Sequence, residues 1–207
     1  MAYQPGFIST NSMRFILLII LTLFSAFQSK NPNGGFLVVE KNSYIGIDAS
    51  SNINEFTCDI REYVRTDTLH GSTDHGKGKY IFTTNSSLSV EVKDFDCHHK
   101  YITSDFRKML KADTYPFLVI RFLNLDEFRN GKEVKGQVQV ELAGKKKTMD
   151  ISYHCTETSP QHIRLQGFKS MKFSDFELKP PRKIGGLIRI NEDIKVNFNL
   201  FFKKLNS

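Results

Sequence analysis

The 207-residue sequence contains no tryptophan, no internal repeat and no low-complexity linker. Its length and its hydrophobic content of 40% fit one domain with a sizeable core or an internal cavity, so a second domain is not expected. Phenylalanine, by contrast, occurs 18 times, against 7 tyrosines. A chain of this kind has large apolar surfaces with few polar groups on them. Those surfaces serve either as core filler or as the lining of a cavity for an apolar ligand.

Recognisable catalytic motifs are also lacking. The sequence has no glycine-rich phosphate loop of Walker or Rossmann spacing, no nucleophile elbow, no Ser/His/Asp grouping and no convincing pair of catalytic carboxylates. Asp94, Asp96 and Asp105 flank a predicted helix, where strand-end or capping roles account for them. We therefore predict a protein that is not an enzyme, has no catalytic residue and requires no cofactor.

Cys97-His98-His99 is the one stretch with reactive side chains. On a strand, Cys97 and His99 share a face about 6 to 7 Å apart. They supply two ligands, whereas a zinc site needs three or four. His154-Cys155 would have to complete the site from another strand, and a metal-dependent enzyme built in this way is the alternative hypothesis. We predict no metal, and instead a disulfide cysteine beside two surface histidines.

The formal net charge is +7, spread over the whole sequence rather than gathered into one basic arm. The aromatic residues lie inside apolar alternations and not between basic residues, which is unlike a nucleic-acid-binding surface. The charge pattern therefore indicates a solvated surface, and nucleic acid is not an expected partner.

A secretory signal peptide is predicted within residues 1–28. Met13-Arg14 precedes an apolar run from Phe15 to Phe24, and small residues follow it. The run is shorter than the roughly 20 apolar residues of a membrane span, although a retained anchor is the alternative. No cysteine follows the run directly, which excludes a lipid-anchored lipoprotein. We expect a periplasmic or secreted protein, with Met13 as an alternative start and cleavage between Ser25 and Lys30.

Three cysteines in an oxidising compartment can form one disulfide and leave one thiol. Cys58 and Cys97 each stand two residues after a phenylalanine in a strand of alternating polarity. We predict that these two cysteines are bonded and that Cys155 is buried and inert.

From Phe36 onward, apolar residues alternate with polar ones in successive segments bounded by Gly, Asn, Asp and Pro. This pattern predicts an all-β domain over residues 36–207, an antiparallel barrel of roughly eight strands with one short helix. Residues 61–78 are expected to form a mobile loop or a loosely paired edge. The strands are expected at 43–49, 53–60, a hairpin of 79–83 with 87–94, 118–122, 134–142, 149–153, 163–173 continued by 174–179, and 194–200.

The predicted helix interrupts the strands near the middle of the chain. Thr103 or Ser104 is expected to cap it, and Phe106, Met109 and Leu110 share one face. Tyr115-Pro116 ends the helical stretch, because a residue before proline favours extended geometry. We expect the apolar face of this helix to close one end of the barrel.

Four segments, in this order along residues 44–203, resemble the YceI-like family. They are Tyr44 to Asp48; Tyr101 to Phe122, with Leu110-Lys111-Ala112-Asp113 before Tyr115-Pro116; Val134-Lys135-Gly136-Gln137-Val138 with Leu142-Ala143-Gly144-Lys145-Lys146-Lys147; and Phe173-Ser174-Asp175-Phe176.

The resemblance implies an extended, lipocalin-like barrel, usually exported. Its elongated cavity would bind a polyisoprenoid chain such as a prenylated quinone or a prenyl phosphate. Two motifs depart from the family pattern, at Ala49-Ser50-Ser51 and around His98 to Lys100, and leave the identity of the ligand open.

The sequence thus predicts a binding protein that sequesters or carries an isoprenoid or other long-chain lipid. The alternative is a structural or interaction barrel whose core is filled by its own side chains, and the oligomeric state is open. Lysines 145–147 suggest a transient contact with an anionic membrane surface, although a charged hairpin tip ordinarily just aids solubility. The predicted ligand-binding residues are Phe106, Met109, Leu110, Leu118, Ile120, Phe122, Val138, Val140, Met149, Ile151, Phe173, Phe176, Val196 and Phe198.

Overall fold

The computed structural model describes residues 34–60, 62–128, 130–183 and 187–206. The predicted signal peptide lies outside these residues. Two short 3-10 helices, Val92–Asp94 and Phe173–Phe176, accompany one α-helix, α1 (Lys100–Met109), within the described part of the chain. Its strands are β1 (Gly34–Val39), β2 (Tyr44–Ser50), β3 (Glu55–Ile60), β4 (Thr68–Asp74), β5 (Lys79–Phe82), β6 (Ser87–Glu91), β7 (Phe117–Asp126), β8 (Lys132–Leu142), β9 (Lys145–Ser159), β10 (His162–Lys172), β11 (Arg182–Lys183), β12 (Ile188–Arg189) and β13 (Asp193–Asn206).

Eight strands close into an antiparallel barrel, as the sequence predicts. The hydrogen-bonded order is β1, β4, β5, β7, β8, β9, β10 and β13, and β13 pairs back with β1. The second half of β13 completes this ring, whereas its first half pairs with β2, which in turn pairs with β3. The barrel therefore has two ends with different walls, because β2, β3 and β6 line only the end that α1 covers.

The two ends also differ in packing. At the end where β13 pairs with β1, inward side chains such as Leu69, Leu125, Ile163 and Phe202 are almost completely buried. We call this end the packed half. At the other end, many inward side chains stay half-buried. We call it the cavity half, since it is where the barrel interior is not completely filled.

The prediction of a loop or loose edge at residues 61–78 is wrong for residues 68–74, because β4 is a full member of the barrel wall between β1 and β5, whereas residues 62–67 and 75–78 lie outside the strands. Apolar residues alternate only weakly along β4, because a side chain of the neighbouring strand β5 fills the space beside Gly71. A Cβ on Gly71 would lie 2.4 Å from the ring of Tyr80, so that ring occupies the space beside the glycine. The Tyr80 hydroxyl lies within hydrogen-bonding distance of the carbonyls of Gly35 and Gly71, at 2.8 and 2.9 Å, and its one hydrogen is shared between them, which links three strands.

The hairpin predicted from residues 79–83 and 87–94 is also wrong. Both β5 and β6 lie antiparallel to β7, one after the other along its length. A bend between them is fixed by Ser86, whose buried hydroxyl donates to the carbonyl of His70 and accepts its N–H. One strand interrupted by this bend therefore replaces the expected pair.

The β8–β9 hairpin is confirmed, with continuous pairing from Leu142 and Lys145 to Lys132 and Cys155. Its turn is shorter than predicted, because only Ala143 and Gly144 lie between the strands, with φ of 51° and 80°. Two successive positive φ values are typical of the tight type I′ turn. The three lysines consequently lie on β9 rather than in the turn.

Two further boundaries differ from the predictions. The helix begins at Lys100 with His99 as its N-cap residue, so Thr103 and Ser104 lie inside it and do not cap it. Residues 174–179 do not continue β10, because Phe173–Phe176 forms a 3-10 helix. The Asp175 carboxylate accepts the backbone N–H of Lys172, which turns the chain across the end of the barrel. Among the described residues, no helix has the length and apolar character needed to cross a membrane.

Candidate functional site

An internal cavity of about 100 Å³ lies in the cavity half of the barrel. Side chains from β2, β7, β8, β9, β10 and β13 form its wall, and α1 and the 3-10 helix Phe173–Phe176 lie over its end. Thirteen of the fourteen predicted ligand-binding residues line it. The exception is Met109, which faces a groove outside the barrel. The thirteen are Phe106, Leu110, Leu118, Ile120, Phe122, Val138, Val140, Met149, Ile151, Phe173, Phe176, Val196 and Phe198.

Phe122 on β7 forms the floor of the cavity. Its ring centroid lies 5.5 Å from that of Phe82 and 6.3 Å from that of Phe202, both in the packed half. Such tilted and edge-on ring pairs are favourable arrangements that resist displacement. The cavity therefore ends at Phe122 and does not run through the barrel.

The wall of the cavity is almost entirely apolar. Lys169 and Lys172 are the charged residues along it, and their amines point away from the interior. Lys169 donates to the carbonyl of Asp150 at 2.9 Å, and Lys172 lies 3.8 Å from the carboxylate of Asp193. Only the aliphatic stems of these lysines are left to border the cavity. Burial raises the pKa of Tyr153, so its hydroxyl stays protonated at physiological pH.

Several lining residues were missed by the sequence analysis. Leu142, Tyr153, Ile194 and Leu200 continue the same parity as their predicted neighbours, so strand alternation alone could have found them. The others required knowledge of which strands meet at this end of the barrel. They are Ile45, Ile47, Lys169, Met171, Lys172 and Leu178.

The predicted disulfide between Cys58 and Cys97 is present in the structure. Next to it, Asp59 and Asp96 exchange two backbone hydrogen bonds of 2.9 and 3.0 Å, which join β3 to the segment before α1. Cys97 is therefore bonded to sulfur and does not offer a thiolate to a metal. Among the described residues, no group of three His, Cys, Asp or Glu side chains is placed to hold a metal ion.

The start of α1 is fixed by a small polar network. Asp96 accepts the backbone N–H of His98 and the hydroxyl of Thr103, and that hydroxyl accepts the N–H of Cys97 at 2.9 Å. The two donors to Asp96, the His98 N–H first, lower the pKa of its carboxyl. Arg107 makes two further bonds to the carbonyl of Phe95. These contacts hold the helix over the cavity, with Phe106 and Leu110 pointing inward.

The opposite side of the cavity mouth is closed by ion pairs. β9 and β10 are paired only near the packed half, from Ser159 with His162 to His154 with Gln166. Beyond that point the 3-10 helix Phe173–Phe176 joins them, since Lys147 pairs with Asp175. Lys145 adds a contact of 2.7 Å to Glu177. The Lys147 amine is the main reason why the pKa of Asp175 is lowered.

A larger groove of about 660 Å³ lies outside the barrel, on the other face of α1. Its lining includes Ile53, Phe56, Tyr101, Met109 and Ile190 together with polar side chains. Phe106 and Phe173 line both the groove and the internal cavity. These two rings therefore lie between the larger groove and the smaller cavity.

No protein-family model and no curated protein matches this sequence. Solved structures do match. A polyisoprenoid binding domain from Saccharophagus degradans, implicated in plant cell wall breakdown, has a TM-score of 0.56 at 14% identity, covering 81% of this chain and 97% of that one. Burkholderia cenocepacia BcnA has a TM-score of 0.59 at 13% identity, covering 77% and 95%. The Campylobacter jejuni YCEI protein is matched less well, with a TM-score of 0.48 at 15% identity, covering 61% and 73%.

The predicted resemblance is thereby confirmed at the level of the fold. The whole barrel, rather than one motif, carries the match, since nearly the full length of the first two structures is covered. At identities of 13 and 14% the similarity concerns the architecture alone.

Proposed function

Because this chain has the YceI-like fold, we propose that it is an exported binding protein that holds an isoprenoid or similar long lipid chain inside its barrel. The observation that carries the proposal is the apolar cavity beneath α1, which is walled by buried and half-buried apolar side chains while the rest of the barrel is packed. The Saccharophagus degradans domain, described as polyisoprenoid-binding, supports the ligand class through the shared fold.

Burial of apolar surface is a sufficient driving force for such binding. Each methylene group removed from water contributes about 0.8 kcal/mol, so ten of them contribute about 8 kcal/mol. That sum is comparable with the whole binding free energy of a complex with a micromolar Kd. Additional methylene groups offset the loss of translational and conformational freedom. A long apolar chain therefore needs few polar contacts, in agreement with the wall of this cavity.

The small volume of the cavity means that the ligand must widen it. About 100 Å³ is well below the 300 to 1,000 Å³ of most small-molecule sites. Rotation of Phe106 and Phe173 would join the cavity to the groove of about 660 Å³. Met149 and Met171 lie along the wall, and methionine adapts its shape easily. We propose that the bound chain occupies this combined space.

The small volume also favours one competing function, a structural or interaction barrel filled by its own side chains. Phe122 and its ring contacts already fill the packed half. This alternative predicts that the cavity stays at its present size and takes up no lipid.

Organic extraction followed by mass spectrometry tests the proposal. The protein is purified without detergent, its lipid extract is compared with that of an equally purified unrelated protein, and uptake of a fluorescent prenyl probe is then titrated. We expect a co-purified isoprenoid, or saturable uptake near one probe per chain. An extract without lipid together with no probe uptake would establish the self-filled barrel.

A further inference from the structure

The three most exposed large hydrophobic side chains of the described residues belong to different segments of the chain. They are Ile53 in the β2–β3 turn, Tyr101 in the first turn of α1 and Leu187 before β12, exposed to 66, 75 and 72%. Isolated exposed hydrophobic residues are common, but a group of them around one opening indicates an interaction surface.

Two of the three line the groove beside α1, and the third adjoins a residue that lines it. Ile53 and Tyr101 line it directly, and Leu187 precedes Ile188, which also lines it. The Asn52 side chain connects the first and third segments, because its amide donates to the carbonyl of Leu187 at 2.9 Å. We call Ile53, Tyr101 and Leu187 the hydrophobic rim.

The rim is held in place by hydrogen bonds. The Ser51 hydroxyl accepts the N–H groups of Ile53 and Asn54, which fixes the β2–β3 turn. Asn52 accepts the N–H of Arg189 at 2.9 Å and donates its own N–H to the Arg189 carbonyl. These hydrogen bonds therefore hold the two segments that carry Ile53 and Leu187 in the conformation in which both side chains are exposed.

The charge around the rim is mainly basic. Lys179 and Arg189 are exposed on the described parts of the segment that carries Leu187. Lys100 and Lys108 lie on the exposed side of α1, and Lys108 also lines the groove. Asp105 is the acidic residue of the groove lining and is half-buried, and the exposed Glu55 follows Ile53 by two residues. Apolar side chains surrounded by basic ones are the combination that binds an anionic bilayer surface.

We propose that the hydrophobic rim inserts into the surface of an anionic phospholipid bilayer and sets the mouth of the groove against the membrane. Phe106 and Phe173 then lie between the membrane and the internal cavity, on the path of a lipid chain that leaves the bilayer. The purpose of the docking rests on the proposed lipid-binding function, whereas the docking itself is a separate property.

Vesicle co-sedimentation tests the docking. Wild-type protein is mixed with vesicles of phosphatidylcholine alone and with vesicles containing 30 mol% phosphatidylglycerol, at low and high salt. We expect preferential binding to the anionic vesicles, and at least a tenfold loss when Ile53→Ser, Tyr101→Ser and Leu187→Ser are combined. Val64→Ser is the matched control, because Val64 is exposed to 65% and lies away from the groove. Binding that the triple variant retains, or wild-type protein that ignores both vesicle types, would overturn the proposal.

Two further measurements separate charge attraction to the bilayer from a contact between copies of the protein. Lys100→Ala and Lys108→Ala should each weaken binding to the anionic vesicles about fivefold, with no effect at high salt. A triple variant that changes the oligomeric state in size-exclusion chromatography would instead identify the rim as a contact between copies of this chain.

Uptake of a prenyl probe from solution separates the docking from the lipid-binding function. Lys100→Ala should keep normal uptake while it binds anionic vesicles less tightly, because Lys100 lines neither the cavity nor the groove. Vesicle binding by a wild-type protein that takes up no probe would reject the lipid-binding function and leave the docking intact. Normal probe uptake by a wild-type protein that binds no vesicles would reject the docking and leave the lipid-binding function intact.

Discussion

Cys97 is bonded to Cys58 just before α1 begins, so the helix that covers the cavity is attached covalently to β3. The backbone bonds between Asp59 and Asp96 and the contacts of Arg107 with Phe95 reinforce the same attachment. The disulfide and the polar contacts thus both hold α1 in place over the end of the barrel.

Replacing both bonded cysteines by serine should destabilise the protein by about 4 kcal/mol, since the disulfide closes a loop with a sequence separation of 39. Urea unfolding monitored by circular dichroism measures this change. Cys155→Ala is the control, because it removes a buried cysteine without opening the loop and should cost about 1 kcal/mol. Equal losses in the two proteins would show that the disulfide does not stabilise the fold.

The ion pair between Lys147 and Asp175 should make retention of a bound lipid depend on pH. The pKa of Asp175 is lowered from its ordinary 3.8, mainly by Lys147. A lowered carboxyl pKa means that the carboxylate stabilises the folded state above pH 4, and that this contribution is lost as the pH falls through the lowered value. We expect faster release of a prenyl probe near pH 3 than at pH 7.

Asp175→Asn should show the fast release already at pH 7, and stopped-flow release of the probe measures both proteins. Glu141→Gln is the control, since Glu141 pairs with Lys146 on the same hairpin but does not contact the 3-10 helix. The explanation fails if the release rates of the wild type and Asp175→Asn follow the same pH dependence.

Strand alternation predicts the cavity wall well where one strand supplies its own apolar face. Val138 and Val140 on β8 and Met149 and Ile151 on β9 follow strict parity, and all four line the cavity. In β4 the same approach fails, because the Tyr80 ring fills the space beside Gly71 and the alternation of β4 itself is weak. The volume of the cavity was not predictable, since it depends on how residues distant in sequence meet.

Gly136 is required by an irregularity on the neighbouring strand. The pairing of β7 with β8 shifts between Phe122 and Asn124, and this brings the Asn124 carbonyl toward Gly136. An added Cβ would lie 2.7 Å from that oxygen, too close for a backbone atom that cannot rotate away. Gly136→Ala should therefore destabilise the protein by about 1 to 3 kcal/mol.

Thermal unfolding measures the stability of Gly136→Ala, with Gly76→Ala as the control. A Cβ on Gly76 would meet only an Asp74 side-chain oxygen at 3.4 Å, so this variant should match the wild type within about 0.5 kcal/mol. An alanine at 136 that is tolerated as well as the one at 76 would show that β7 and β8 can separate there.

Two identical substitutions on β8 decide between a ligand cavity and a self-filled core. Val140 is half-buried and lines the cavity, whereas Val134 is 3% exposed and lies in the packed half. In Val140→Phe the added ring can enter the void, so we expect a stability change below about 1 kcal/mol. The same ring would occupy the space of the proposed lipid, so prenyl-probe uptake should fall at least tenfold.

Val134→Phe overpacks a filled region and should cost about 1 to 3 kcal/mol. Its uptake of the probe should stay near that of the wild type at temperatures where it remains folded, because Val134 does not line the cavity. Denaturant titration and probe binding are measured on both variants. If Val140→Phe destabilises the protein as much as Val134→Phe and leaves uptake unchanged, the interior around Val140 is packed, and the lipid does not bind there.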